Sequence, residues 1–180
     1  DIEALHADLV GLSFSYKARE AFYVAVPADF NEAKSIVEEF LPFFSSTTIE
    51  KIAHNIKYDL KVLNRYGISV SAPTFDTMVA HYLINPESKQ GMDFLAEFYL
   101  KYQPISIETL IGKKGKGQGN MRDLKPEEVS DYEARYGSEL APCYCSSPGA
   151  TALRTRLVSD GGSCRFASWD SKYGFNFFAR

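Results

Sequence analysis

Six consecutive residues, His54-Asn55-Ile56-Lys57-Tyr58-Asp59, gather an imidazole, a carboxamide, an ammonium, a phenol and a carboxylate within less than two helical turns. A carboxylate can take a hard cation, and lysine and amide groups can meet a phosphate. Read by position alone, each side chain also has an ordinary structural role. Asp59 falls in the first turn of a helix, where its charge complements the dipole. Asn55 is a cap or turn residue for that helix, and Asp76, after Pro73-Thr74-Phe75, is a helix cap. Tyr132, on an apolar helix face, reads as a core tyrosine. Lys113, Lys114 and Lys116 have the charge to touch phosphate, although a lysine-rich loop is usually just solvated.

The elements that must position these groups follow from periodicity. Leu9 to Ser15 and Ala21 to Val26, rich in β-branched and aromatic residues and separated by Lys17-Ala18-Arg19-Glu20, predict a hairpin. From Asp29 to Phe44, the apolar Ala33, Ile36, Val37, Phe40, Leu41 and Phe44 recur at helical spacing and predict one amphipathic helix. Ile49 to Ala53 is a short strand, followed by a helix through Leu60, Leu63 and Tyr66 that Gly67 stops. A helix after Asp76 runs through Met78, Val79, Tyr82 and Leu83 to Asn85-Pro86, and another covers Met92 to Tyr102. Gly112 to Asn120 has no apolar anchor and predicts a mobile, cationic surface loop; a last helix begins at Pro126-Glu127-Glu128. Alternating strands and helices indicate an α/β fold.

Composition narrows the function classes. At 180 residues with 45% hydrophobic residues the chain is the size of one domain with a sizeable core. No run approaches the roughly 18 apolar residues that span a bilayer, and Asp1-Ile2-Glu3 does not begin a secretory signal, so a cytoplasmic protein without membrane partners is expected. A net charge of -3 argues against a broad basic surface for duplex DNA, though not against a narrow single-strand cleft. All three cysteines, Cys143, Cys145 and Cys164, lie in the last quarter and lack zinc spacing, which favours free thiols in a reducing compartment. After about Gly137 neither helical nor strand periodicity is sustained.

The run His54 to Asp59 resembles the second exonuclease motif of the family A DNA polymerases, the bacterial DNA polymerase I type, which reads Asn-x-x-Tyr-Asp. Leu9-Val10-Gly11-Leu12-Ser13-Phe14, Phe75-Asp76-Thr77-Met78, Met92-Asp93 with Leu95-Ala96-Glu97, and Ile111 to Lys116 agree with the same domain in order and spacing. The resemblance implies an RNase H-like fold, a mixed sheet flanked by helices. It also implies a nuclease that removes the 3′-terminal nucleotide of single-stranded DNA, with a polymerase domain following in the intact protein.

In that family four carboxylates hold two divalent cations, Mg²⁺ or Mn²⁺, one activating water and the other stabilising the leaving oxyanion. Carried over by position, Asp59 is a metal ligand, and Asn55, Lys57 and Tyr58 lie along the DNA strand. Tyr132, the tyrosine of the third motif, positions the water, but the aspartate of that motif is replaced by Tyr136. The first motif, Asp-x-Glu, falls ahead of Asp1, and Asp1-Ile2-Glu3 has its spelling but is out of register. The two cations are therefore not expected to be fully bound, and the chain is expected to be inactive.

Residues 1–136 are thus read as an exonuclease domain without its first motif, and residues 137–180 as a divergent tail of unknown structure, for which a reading-frame shift near codons 132 to 136 is the favoured cause. Two rivals remain: a non-catalytic domain that braces a polymerase or binds single strands, and an RNA-trimming nuclease of the same fold.

Overall fold

The computed structural model describes residues 4–17, 20–101, 103, 105–113, 115, 117–125, 127–129 and 174–179. Strands β1 (Gly11–Lys17) and β2 (Glu20–Ala25) pair antiparallel, with Leu12 opposite Val24 and Phe14 opposite Phe22. Leu12 and Phe14 enter the core, yet the alternate Ser13 and Ser15 are buried as well, as expected of a strand covered on both faces. Gly11 is required by its neighbour: a Cβ there would overlap the Tyr23 ring, whose hydroxyl donates to Val10 O at 3.3 Å.

The single helix expected from Asp29 to Phe44 is two. Asp29 caps α1 (Phe30–Glu38) by accepting from the amides of Asn31 and Glu32 at 2.9 and 3.0 Å. The chain then breaks and restarts as α2 (Leu41–Ser45), with Pro42 in its first turn. Proline has no N–H, and its ring would strike the Glu38 carbonyl of a continuous helix, so the break belongs there. The new direction lets Phe40 stack on Phe14 at 4.8 Å and Phe43 meet it edge-on at 5.6 Å.

β3 (Glu50–Ala53), α3 (Ile56–Arg65) and β4 (Thr74–Asp76) form a βαβ unit in which β3 and β4 run parallel. The strand β4, unforeseen in the sequence, is only three residues long. Consecutive residues of β3 serve opposite faces of the sheet. Ala53 joins the cluster of Leu12, Phe14, Phe44, Val62 and Leu63, while Ile52 joins Phe75, Ala80 and Leu95. Helices α1 to α3 therefore cover one face, and α4 (Thr77–Ile84) and α5 (Met92–Leu95) the other. The expected helix Met92 to Tyr102 widens after Leu95 into a π-helical turn, Ala96–Leu100, ended by Lys101 in the left-handed region. Tyr102 itself lies outside the described residues.

The sheet order is β2-β1-β5-β3-β4, and the central member β5 is Gly174–Ala179, antiparallel to β1 and parallel to β3. The sequence shows no sustained strand period here, because the alternation of Phe175-Asn176-Phe177 is broken at once by Phe178. The helix expected from Pro126 is helical at residues 127–129; Pro126 and residues 130–173 lie outside the described residues. Among the described residues no helix is long and apolar enough to cross a membrane. The chain is thus a mixed α/β fold with helices on both faces of a mixed sheet.

Candidate functional site

A cavity of about 780 Å³ opens where β3 runs out into His54 and Asn55. Crevices at the carboxyl ends of strands are the usual ligand sites of open α/β sheets. One wall is α3, contributing Tyr58, Asp59 and Val62; a second is the entry to β1, with Ala7, Asp8 and Val10; the third is Ile107, Ile111 and Gln118 to Met121. Met78, Gly91 and Met92 close the remaining side.

The α3 wall is set by one carboxylate. Asp76 Oδ1 accepts from the amides of Met78 and Val79 at 2.9 and 3.3 Å, the cap expected of it. It also accepts from Asn55 N at 3.1 Å, while its Oδ2 accepts from Ile56 N at 2.9 Å. The otherwise orphaned amides at the starts of α3 and α4 are therefore tied to a single side chain. Asn55 sits at φ 62°, a left-handed conformation that asparagine tolerates better than most residues, and its side chain makes no cap bond. That turn sends α3 off at an angle that buries Asp59, 4% exposed, toward the cavity. His54 Nδ1 and Thr77 Oγ1 lie 3.0 Å apart behind it.

The other walls are pinned by long-range bonds to backbone. Arg65 donates to Ala7 O and pairs with Asp8 at 3.5 Å, and Leu9 N donates to the Tyr66 hydroxyl at 3.0 Å. Arg122 donates through its two terminal nitrogens to Val26 O at 3.0 Å and Leu9 O at 2.9 Å. These bonds hold α6 (Ile107–Ile111), the glycine-rich loop and the 3₁₀ turn Met121–Asp123 against the hairpin.

Of the residues singled out in the sequence, Asn55, Tyr58 and Asp59 line the cavity together. Lys57 is exposed and is not part of the lining. Tyr132, Asp1 and Glu3 lie outside the described residues, as do Lys114 and Lys116 of the loop, while Lys113 is exposed. Asp8, Gln118, Asn120 and the anchor Arg122 were not foreseen. Asp8 had one available signal, an acidic residue immediately ahead of a predicted strand; Arg122 had none, since its partners are backbone carbonyls far away in sequence.

The acidic residues in the lining are Asp8 and Asp59, and among the described residues no group of three or more His, Cys, Asp or Glu is placed to hold a metal ion. With Asp8 largely exposed and already paired to Arg65, these residues do not fit a two-cation site.

A family model described as 3′-5′ exonuclease matches residues 1–135. The DNA polymerase I of Borreliella burgdorferi is 34% identical over 136 residues, covering 74% of this chain and 14% of the relative. That of Chloroflexus aurantiacus is 33% identical over 139 residues, with the same coverage of 74% and 14%. That of Aquifex aeolicus reaches 61% over 111 residues, 49% of this chain and 18% of the relative. The chain therefore spans less than a fifth of the length of these relatives. On the match over residues 1–135 and the two relatives more than 30% identical across 74% of the chain, the chain belongs to the 3′-5′ exonuclease family found in DNA polymerase I.

Proposed function

We propose that the cavity receives the 3′ end of single-stranded DNA as the exonuclease module of a cytoplasmic DNA polymerase I-type enzyme, and that this chain by itself does not hydrolyse it. The observation that carries this reading is the carboxylate count: two acidic residues in the described lining where two-cation hydrolysis asks for four. An RNase H-like reading of the fold agrees with a mixed sheet under helices on both faces. Asn55 supplies a carboxamide for a sugar or phosphate, and Tyr58 a ring against which a terminal base can stack. Lys57, on the same helix but outside the lining, is assigned to the phosphates leading away from the cavity. Asp59 is the carboxylate assigned to a cation and Tyr132 the residue assigned to orient water; the polymerase domain belongs to the longer protein.

Incubating the purified chain with an end-labelled single-stranded oligonucleotide and Mn²⁺ is expected to leave the oligonucleotide at full length. Steady loss of 3′ nucleotides, abolished by Asp59→Ala, overturns the inactive reading. The same count supports a second reading, a non-catalytic brace for a polymerase. Binding of the oligonucleotide, weakened by Tyr58→Ala, favours the single-strand site; no binding at low salt favours the brace.

A further inference from the structure

The chain has three methionines, Met78, Met92 and Met121, and all three line the cavity. They come from the first turn of α4, the start of α5 and the 3₁₀ turn, so the fold and not sequence proximity brings them to one site. Each is half-buried. Met92 and Met121 also pack on the fully buried Ala96, beside Ile107 and Leu110. They are thus part of the small apolar contact that seats α6 and the 3₁₀ turn, two elements with no buried residue of their own. The facing helix α3 contains neither methionine nor cysteine. A thioether suits such a seat because an unbranched, polarisable side chain fills irregular gaps, and the same sulfur is open to oxidation.

We propose that Met92 and Met121, with Met78 as a third target, are modification sites at which a peroxide converts thioether to sulfoxide, and that this loosens the α6 wall and weakens the hold of the cavity on a single strand. In the reaction a sulfur lone pair attacks one peroxide oxygen, and an S–O bond forms as the O–O bond breaks. The departing hydroxide takes the proton left on the transferred oxygen and leaves as water, so sulfur gives up the two electrons that the peroxide gains. The product is a strong hydrogen-bond acceptor held against Ala96 and its isoleucine and leucine neighbours, where apolar side chains offer it no donor. The wall relieves that cost by moving away. The change falls on one side of the cavity, because α3 carries no sulfur to oxidise. Sulfoxides are reduced enzymatically, which makes the loosening reversible.

The effect on DNA rests on the assignment of a single strand to the cavity; the effect on the wall does not, and the test reads the two separately. The full-length chain, with Cys143, Cys145 and Cys164 changed to serine so that thiols do not contribute, is treated with hydrogen peroxide, and mass spectrometry locates the added oxygens. Oxidation is expected at all three methionines of the folded chain. Hydrogen exchange at the Gly119 amide, bonded to Ile111 O, is expected to accelerate about tenfold while that of Leu63 in α3 is unchanged. Binding of a fluorescent single-stranded oligonucleotide is expected to weaken about as much, and treatment with the two methionine sulfoxide reductases is expected to restore both. The same chain carrying Met78→Leu, Met92→Leu and Met121→Leu, compared with itself before and after peroxide, is expected to show neither change. Methionines that stay unoxidised, or sulfoxides that leave Gly119 exchange unaltered, overturn the proposal. Faster Gly119 exchange with undiminished oligonucleotide binding overturns control of the site. Absence of binding before peroxide overturns the DNA assignment, while the Gly119 result still decides whether the wall responds to oxidation.

Discussion

The α3 wall of the cavity is backed by Ile56, Val62 and Leu63, all buried, and its first turn is held by the Asp76 carboxylate, whereas α6 and the 3₁₀ turn opposite contain no buried residue. Ile107, Leu110 and Met121 only lean, half-buried, on Ala96. One wall is therefore as firm as the core, and the other is held by a few bonds, chiefly those of Arg122. A cavity built this way keeps Asp59 and Tyr58 in place while the facing loop adjusts to what enters. Local stability of this kind follows buried apolar contact, and opening free energies within one domain range from near zero to the global value.

The largest expected effect lies behind the firm wall. Leu63 has no exposed surface and packs with Leu12, Val37 and Val62, so Leu63→Ala is expected to cost about 3 kcal/mol. Chemical denaturation that shows a loss under 1 kcal/mol would mean that α3 is not anchored as described. Next comes Asp76→Ala, which deprives four backbone amides of an acceptor and is expected to cost about 2 kcal/mol. Because it also frees the turn at Asn55, oligonucleotide binding is expected to weaken more than in Leu63→Ala at equal loss of stability.

The opposite wall is expected to respond locally. Arg122→Met keeps the aliphatic stem but removes both carbonyl contacts, and about 1 kcal/mol of global stability should go with them. The sharper readout is the Gly119 amide, bonded to Ile111 O at 2.7 Å, whose hydrogen exchange is expected to accelerate several-fold while that of Leu63 is unchanged. Parallel acceleration at both positions would show the two walls to be one cooperative unit.

The difference between the walls also explains what could be read in the sequence. The motif around Asp59 and the helix through Leu63 are legible because one amphipathic period and one short spacing encode them. The cap at Asp76 is legible for the same local reason, although its second pair of amides, Asn55 and Ile56, is tertiary. The break at Glu39 was missed because the apolar spacing continues across it, and backbone sterics at Pro42 decided the outcome. Arg122 and the central β5 depend on partners dozens of residues away, and no local pattern announces them.

The smallest expected effect belongs to His81 on α4, which is not among the residues that line the cavity. His81 is fully buried, with Nδ1 3.1 Å from the Tyr99 hydroxyl and Nε2 3.0 Å from Ser88 Oγ. Burial pushes its pKa below the ordinary 6.5, opposed in part by a backbone bond to Lys89. A depressed histidine is neutral in the folded chain at a pH where the unfolded chain already carries the proton. Its contribution is therefore complete above pH 6.5 and is lost as the pH falls from there toward the folded value. His81→Gln does not titrate, so the stability advantage of the wild type over this variant is expected to shrink between pH 7 and pH 5. Comparing urea midpoints of the two proteins across that range cancels the carboxylates and the other two histidines, which both proteins share. An advantage that is constant or grows on acidification would mean that the imidazole takes up a proton without leaving its place between Tyr99 and Ser88.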